Sequence, residues 1–425
     1  MKTHTKRKKI AIIGSGISGL GAAYLLHPHH DITLYEKNDY IGGHSRTLEV
    51  QTPDGMIPVD TGFIVFNYRN YPLLTKLFAH LHVPVAKSDM SFGVSIDHGW
   101  LEYGTRRMHD LFAQRGNLLR PAFWRMIADI LKFNASAKQF LTADPSITIG
   151  ECLETLGMGP WFRDYFLLAM GGAIWSTPLE QMLKFPACTF IRFFDNHGLL
   201  SVNDQPQWYT VEGGSREYVK RLSEPFRQCI RLSTAVQHVR RTEEAVIVQS
   251  EHGKQDSFDE VIFACHADQA LALLENPHAE ERTVLGGFRY QPNRAVLHRD
   301  TSFMPRRKAA WSSWVYLSES QTDQSPNVSL SYWMNNLQPL QTSQPLIVTL
   351  NPGREPDPAL VYDDHWFEHP VFDESAIMNQ SRIDSIQGKD RLWFCGAYQR
   401  YGFHEDGLGS AVAMVRHMGI EPPWL

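Results

Sequence analysis

Residues 9–36 run Lys9-Ile10-Ala11-Ile12-Ile13, then Gly14-Ser15-Gly16-Ile17-Ser18-Gly19, then Leu20 to Leu26 with helical apolar spacing, then Asp31-Ile32-Thr33-Leu34-Tyr35-Glu36. The order is strand, glycine turn, helix, strand, acid. The first run is short and almost wholly apolar, as expected of a strand buried on both faces of a parallel sheet. Gly14 permits a tight turn, Gly16 leaves room for a pyrophosphate against the backbone, and Gly19 lets the helix lie close on the sheet. The helix N-terminus turns free N–H groups and the positive end of its dipole toward that phosphate. Glu36 is placed to accept hydrogen bonds from adenosine ribose hydroxyls, and its charge repels a 2′-phosphate. A glycine triplet alone also occurs in ordinary strand–helix turns. The flanking strand, helix and acid make this one a dinucleotide-binding signature.

The next residues choose between dinucleotides. Glu36-Lys37-Asn38-Asp39-Tyr40-Ile41-Gly42-Gly43-His44-Ser45-Arg46-Thr47 adds a second glycine pair and an arginine. Two glycines allow close backbone approach, and a guanidinium can neutralise a phosphate bidentately. The stretch resembles the extension found in FAD enzymes of the flavin amine oxidase, phytoene desaturase and protoporphyrinogen oxidase superfamily. The resemblance implies FAD, held by Gly14, Gly16, Ile17, Ser18, Gly19, Glu36, Lys37, Gly43, His44, Arg46, Thr61 and Gly62. Asp60-Thr61-Gly62 is similar to the family segment that passes near the isoalloxazine. His44 stands where the family more often has arginine, so Arg46 is either the phosphate ligand or a solvated surface arginine.

The C-terminus carries the second half of the resemblance. A strand at 391–394 leads to Cys395-Gly396, and a glycine-rich run from Gly407 to Val415 opens a helix. In the superfamily this helix points its N-terminus at the flavin pyrimidine ring, where its dipole stabilises the charge of reduced flavin. That implies flavin contacts at Gly396, Gly407, Leu408 and Ser410. It also implies a backbone contact to adenine near Val236, after the return segment Thr210-Val211-Glu212-Gly213-Gly214-Ser215. Ala397 replaces an acid common in amine oxidases. The loop 396–407 more closely resembles a bacterial subfamily of NAD/FAD-binding oxidoreductases, some of which accompany cyclopropane-type lipid-modifying enzymes.

Candidates for chemistry are fewer. His404, Glu405 and Asp406 are the polar residues expected near the flavin, with capping of the helix start as the alternative. Trp175 and Trp314 stand in tryptophan-containing segments, 171–178 and 311–314, that either line a substrate pocket or are structural. Residues 293–298 hold no lysine, whereas many amine oxidases place one there to hold a water near flavin N5.

The fold expected is α/β, a Rossmann-type FAD-binding domain with a discontinuous substrate domain of mixed sheet and helix. A chain of 425 residues exceeds one ordinary core. The FAD-binding domain is assigned to 1–70, 205–270 and 376–425, and the substrate domain to 71–204 and 271–375. Strands are expected at 230–232, 236–239, 246–248 and 258–264, and a helix over 71–81. Residues 106–132 read as one basic, aromatic helix. It is either an amphipathic helix packed on the core, the commoner case, or a segment resting on an anionic membrane.

Composition bounds the rest. The net charge of −5 argues against nucleic acid as a partner. The five cysteines form no C-x-x-C pair, so neither a disulfide framework nor a metal site is expected, and a reducing compartment fits. No signal-peptide pattern and no long apolar run occur, so the expected location is cytoplasmic, with contact to the inner membrane face through 106–132 as an open question. Oligomeric state is not legible. Three functions compete. The first is an FAD oxidoreductase taking hydride from a lipid-like or polyene substrate; the second is an amine oxidase; the third is a non-catalytic FAD-binding protein. The absent lysine weighs against the second, and the intact flavin-contacting C-terminus against the third.

Overall fold

The computed structural model describes residues 7–144, 146–175, 182–196, 198–200, 205–251, 253–321 and 324–425. The strand Lys9–Ile13 is the centre of a five-stranded parallel sheet, ordered Ile230–Arg231, Asp31–Tyr35, Lys9–Ile13, Glu260–Phe263, Leu392–Phe394. Its side chains alternate between two cores. Ile10 and Ile12 pack with Leu20, Leu34 and Leu408, and Ala11 and Ile13 with Tyr35, Phe263 and Phe394. Helices on both faces therefore demand the continuous apolar run read in the sequence.

The stretch expected as one strand over 258–264 is two. Phe258 ends the third strand of an antiparallel meander, Val236–Arg241, Val246–Ser250 and Gln255–Phe258, and Glu260–Phe263 belongs to the parallel sheet. Asp259 makes the break, its carboxylate accepting from the Lys9 amide at 2.7 Å.

A seven-stranded sheet lies beyond, in the order Val361–Val371, Arg289–His298, Ile347–Leu350, Gln324–Trp333, Trp314–Gln321, Phe92–Ile96, Leu101–Gly104. Helices between 121 and 196 cover one face of it through Phe123, Phe162 and Phe190. Val85–Ser88 and Phe66–Asn67 pair with Trp208–Val211 in a small sheet between the two large ones.

The helix expected over 71–81 spans Pro72–His80, with proline in its first turn. The helix expected over 106–132 is broken. Short 3-10 turns occupy Met108–Phe112 and Arg115–Leu119, and the α-helix runs only over Pro121–Ser136. Pro121 cannot continue a preceding helix but suits the start of a new one.

Candidate functional site

Three backbone segments meet at the carboxyl end of the central strand. Gly14 has φ +104°, and a Cβ there would lie 2.8 Å from the Ala264 carbonyl oxygen. A Cβ at Gly19 would lie 1.9 Å from the Gly14 oxygen, so the helix Ile17–Leu26 rests on the turn only because that position is bare. At Gly16 the opposite holds: among the described residues no atom beyond its chain neighbours lies within 4 Å of where a Cβ would be. Gly16 is also the N-cap of the helix, and no side chain caps it. Its first-turn N–H groups thus take no capping side chain among the described residues. The second glycine pair lies against this turn, with the Gly42 amide donating to the Ser15 carbonyl at 3.0 Å.

Glu36 is buried beside the turn. Its Oε2 accepts from the Ser15 amide at 3.0 Å and hydroxyl at 2.6 Å, and its Oε1 from the Asn38 amide at 2.9 Å. Lys37 points to solvent, and Val236 is half-buried at the start of the meander. Ile17 and Ser18 are buried in the first turn.

Beyond the glycine pair, residues 44–46 pair with 61–63. The His44 carbonyl accepts from the Phe63 amide at 2.7 Å, and the Arg46 carbonyl from the Thr61 amide at 2.9 Å. Gly62 passes so close to the His44 oxygen that no side chain fits. The Arg46 guanidinium is engaged by Asp363, on the edge strand of the seven-stranded sheet, at 2.6 and 2.9 Å.

The His44 ring stacks on Phe367, centroids 4.8 Å apart, and sits 5.1 Å from His369. Its Nε2 is buried with no hydrogen-bond partner among the described residues. Burial holds its pKa well below the usual histidine value, with neighbouring imidazoles adding to the effect. The edge strand Val361–Val371 supplies this surface by its alternation: His365, Phe367 and His369 share one face, while Trp366 is turned to solvent. Burial lowers the His369 pKa to about 4, and its ring meets the Asn293 amide at 2.8 Å. These three residues escaped the sequence reading, although the period-two pattern of histidine, phenylalanine and histidine is visible there.

At the C-terminus the helix spans His404–His417 and so begins one turn before Gly407, where it was expected. Asp406 explains the shift by accepting from the Phe403 amide at 2.9 Å, a cap on its own helix. Glu405 accepts from the Leu73 and Leu74 amides at 2.8 and 2.9 Å, which caps the helix Pro72–His80 instead. Gly407 packs on Ile17, and Leu408 fills the space left by Gly21. The small residues here let the first and last helices touch. Ser410 joins the strand end to this helix, its hydroxyl accepting from the Gly396 amide at 2.8 Å.

His404 stacks on Phe63, centroids 3.8 Å apart, and its Nε2 lies 2.9 Å from the Ser45 hydroxyl. Burial lowers its pKa to about 3, so the ring is neutral. Trp314 stands in the seven-stranded sheet against Tyr332, its Nε1 buried without a partner among the described residues. The side chain of Trp175 and residues 176–178 lie outside the described residues.

A dinucleotide fits what these residues leave open. The bare space at Gly16 and the uncapped first turn suit a pyrophosphate, Glu36 suits ribose hydroxyls, and the unpartnered His44 Nε2 lies on the loop that borders the turn.

Comparison with known proteins agrees. The family described as flavin containing amine oxidoreductase matches residues 17–416. The FAD-dependent oxidoreductase dbaF of Emericella nidulans is 35% identical over 91 residues, which are 21% of this chain and 18% of that protein. Among solved structures, a CLA-producing fatty acid isomerase from P. acnes is 14% identical, with TM-score 0.66 over 97% of this chain and 99% of that one. Cyclohexylamine oxidase from Brevibacterium oxydans IH-35A is 15% identical, with TM-score 0.64 over 97% of this chain and 100% of that one. The chain belongs to the flavin-containing amine oxidoreductase family and is an FAD-dependent oxidoreductase.

Proposed function

We propose that the enzyme removes hydride from an uncharged, lipid-like or polyene substrate, as a dehydrogenase or desaturase. In this reading 1–70, 205–270 and 376–425 hold FAD, and 71–204 and 271–375 hold the substrate. FAD supplies the hydride acceptor. The chain's own residues bind and orient. First-turn amides at Gly16 to Ser18 take the pyrophosphate, and Glu36 takes the adenosine ribose. His44 offers one neutral ring nitrogen to the cofactor or substrate.

The observation that carries the reading is the surface beside the glycine turn, formed by His44, Phe367 and His369. Its imidazoles are kept neutral by burial, and a buried cation would cost more there than in water. Asn293, buried and bonded to His369, lies in the strand that holds lysine in many amine oxidases. The surface has aromatic area for an apolar chain, and neither His44 nor His369 is in an ion pair with a carboxylate among the described residues. The fold does not choose, since proteins acting on fatty acids and on amines share it.

The test is anaerobic reduction of the bound flavin, followed at its visible absorbance, with acyl lipids, polyenes and simple amines. Bleaching by an unsaturated or acyl substrate is expected. Fast bleaching by a primary or secondary amine, with none by lipids or polyenes, would make the protein an amine oxidase.

A further inference from the structure

The broken segment after residue 105 has an inward face and an outward one. Phe123, Met126 and Phe133 anchor it in the core. Outward, it carries exposed large apolar side chains: Met108 (74% exposed), Leu118, Leu119 (87%), Trp124 and Leu131, with Trp100 beside them. Its aromatic residues are held in place from behind. The Trp124 indole N–H donates to the Leu118 carbonyl at 2.9 Å, and Trp124 packs on Phe112 with centroids 5.3 Å apart. Arg120 lies over the Trp100 ring at 5.1 Å and donates to the Trp100 carbonyl at 2.9 Å. Leucine tips this exposed are not explained by the fold.

Charge is sorted across the same segment. Arg106, Arg107, Arg115 and Arg125 are exposed, whereas Asp110 and Asp129 are buried. Asp129 accepts from the Gly159 amide at 2.9 Å and has Arg125 at 3.7 Å; Asp89 lies 3.7 Å from Arg106. Arg107 and Arg115 are in no ion pair among the described residues. The outer face is therefore positive on a chain whose net charge is −5.

We propose that this face docks on an anionic lipid bilayer. Met108, Leu118 and Leu119 enter the headgroup region, Trp100 and Trp124 lie at its boundary, and the arginines meet lipid phosphates. Each component suits that surface. Aliphatic tips gain from leaving water, tryptophan favours the interface, and guanidinium pairs with phosphate. A second copy of the chain is disfavoured as occupant, because a symmetric contact would set arginine against arginine. Nucleic acid is disfavoured by the protruding leucines, which offer neither stacking nor hydrogen bonds.

The test uses the full-length, FAD-loaded protein and sedimentation with two kinds of vesicle, phosphatidylcholine alone and phosphatidylcholine with one third phosphatidylglycerol. Binding to the second is expected, weakened by added salt because exposed charges are screened. Met108→Ser with Leu119→Ser, and separately Arg107→Glu with Arg115→Glu, should each reduce binding by about tenfold or more. Both variants should keep the flavin absorbance of the parent, since neither touches the glycine turn. The proposal fails if phosphatidylglycerol vesicles do not sediment the protein, or if either double variant binds as the parent does. It also fails in favour of an acidic protein partner if polyglutamate competes fully with vesicles and the serine variant binds polyglutamate and vesicles unchanged.

Discussion

Arg46 and Asp363 join the loop after the second glycine pair to the edge of the seven-stranded sheet through a two-point ion pair, with N···O distances of 2.6 and 2.9 Å. Both side chains are mostly shielded from solvent, 16% and 19% exposed. Such a pair has a planar geometry that lysine or asparagine cannot reproduce. Arg46→Gln and Asp363→Asn should each destabilise the protein by about 1–3 kcal/mol, and the double variant by less than the two added together. Denaturant unfolding of all three variants checks this. FAD affinity should change little and equally in the two single variants. Loss of FAD in Arg46→Gln alone would instead make the guanidinium a phosphate ligand.

Gly16 and Gly19 predict opposite failures. Gly16 has an ordinary φ of −68° and open space around it, so Gly16→Val should leave a folded chain that no longer retains FAD. Gly19→Ala would place a methyl 1.9 Å from a carbonyl oxygen, and should destabilise the flavin-free chain itself, by about 1–3 kcal/mol or more. Flavin absorbance after gel filtration and the thermal midpoint of the apoprotein separate the two. Yellow Gly16→Val protein would overturn the placement of the pyrophosphate.

What was legible followed the range of the interaction. The strand Lys9–Ile13, the turn and the strand Asp31–Tyr35 are set by neighbours in sequence, and their bounds agree with the reading residue by residue. The start of the last helix was misjudged by one turn because Asp406 caps Phe403, a local signal outweighed by the more conspicuous glycines. Glu405 could not have been placed from sequence, because the amides it caps belong to a helix more than 300 residues earlier. The face shared by His365, Phe367 and His369 acquires meaning only when its strand pairs with Arg289–His298 and turns it toward His44. The break at Pro121 was readable; the aromatic and basic periodicity around it hid the signal.

His44 has an unpartnered buried nitrogen, which carries a desolvation cost in the flavin-free chain. His44→Phe removes that nitrogen and keeps a ring to stack on Phe367. The apoprotein should be as stable as the parent or more so, while FAD affinity falls by about tenfold, or about 1.4 kcal/mol, if Nε2 bonds the cofactor. Fluorescence titration of apoprotein with FAD measures the second quantity. A destabilised apoprotein with unchanged FAD affinity would show that the ring serves packing alone.

Acid should destabilise the apoprotein between about pH 6.5 and pH 4, and the direction follows from two opposed sets of buried groups. Burial raises the Asp60 and Asp406 carboxyls to about 6 and raises Glu405 as well, so each takes up a proton on folding in this window and loses stabilising effect as pH rises. Burial lowers His298 and His369 to about 4, His404 to about 3 and His44 well below its usual value. Each imidazole releases a proton on folding, so its contribution is present above about pH 6.5 and is lost as pH falls. These four imidazoles outnumber the three carboxyls, and His30, His266 and His365, also lowered by burial, add to them. The unfolded chain then binds more protons than the folded one near pH 5, so stability rises with pH there. Urea unfolding of flavin-free protein at about pH 5 and pH 6.5 checks the sign. Equal or greater stability at the lower pH would mean that these imidazoles are charged in the folded protein, and would remove the neutral surface on which the substrate proposal rests.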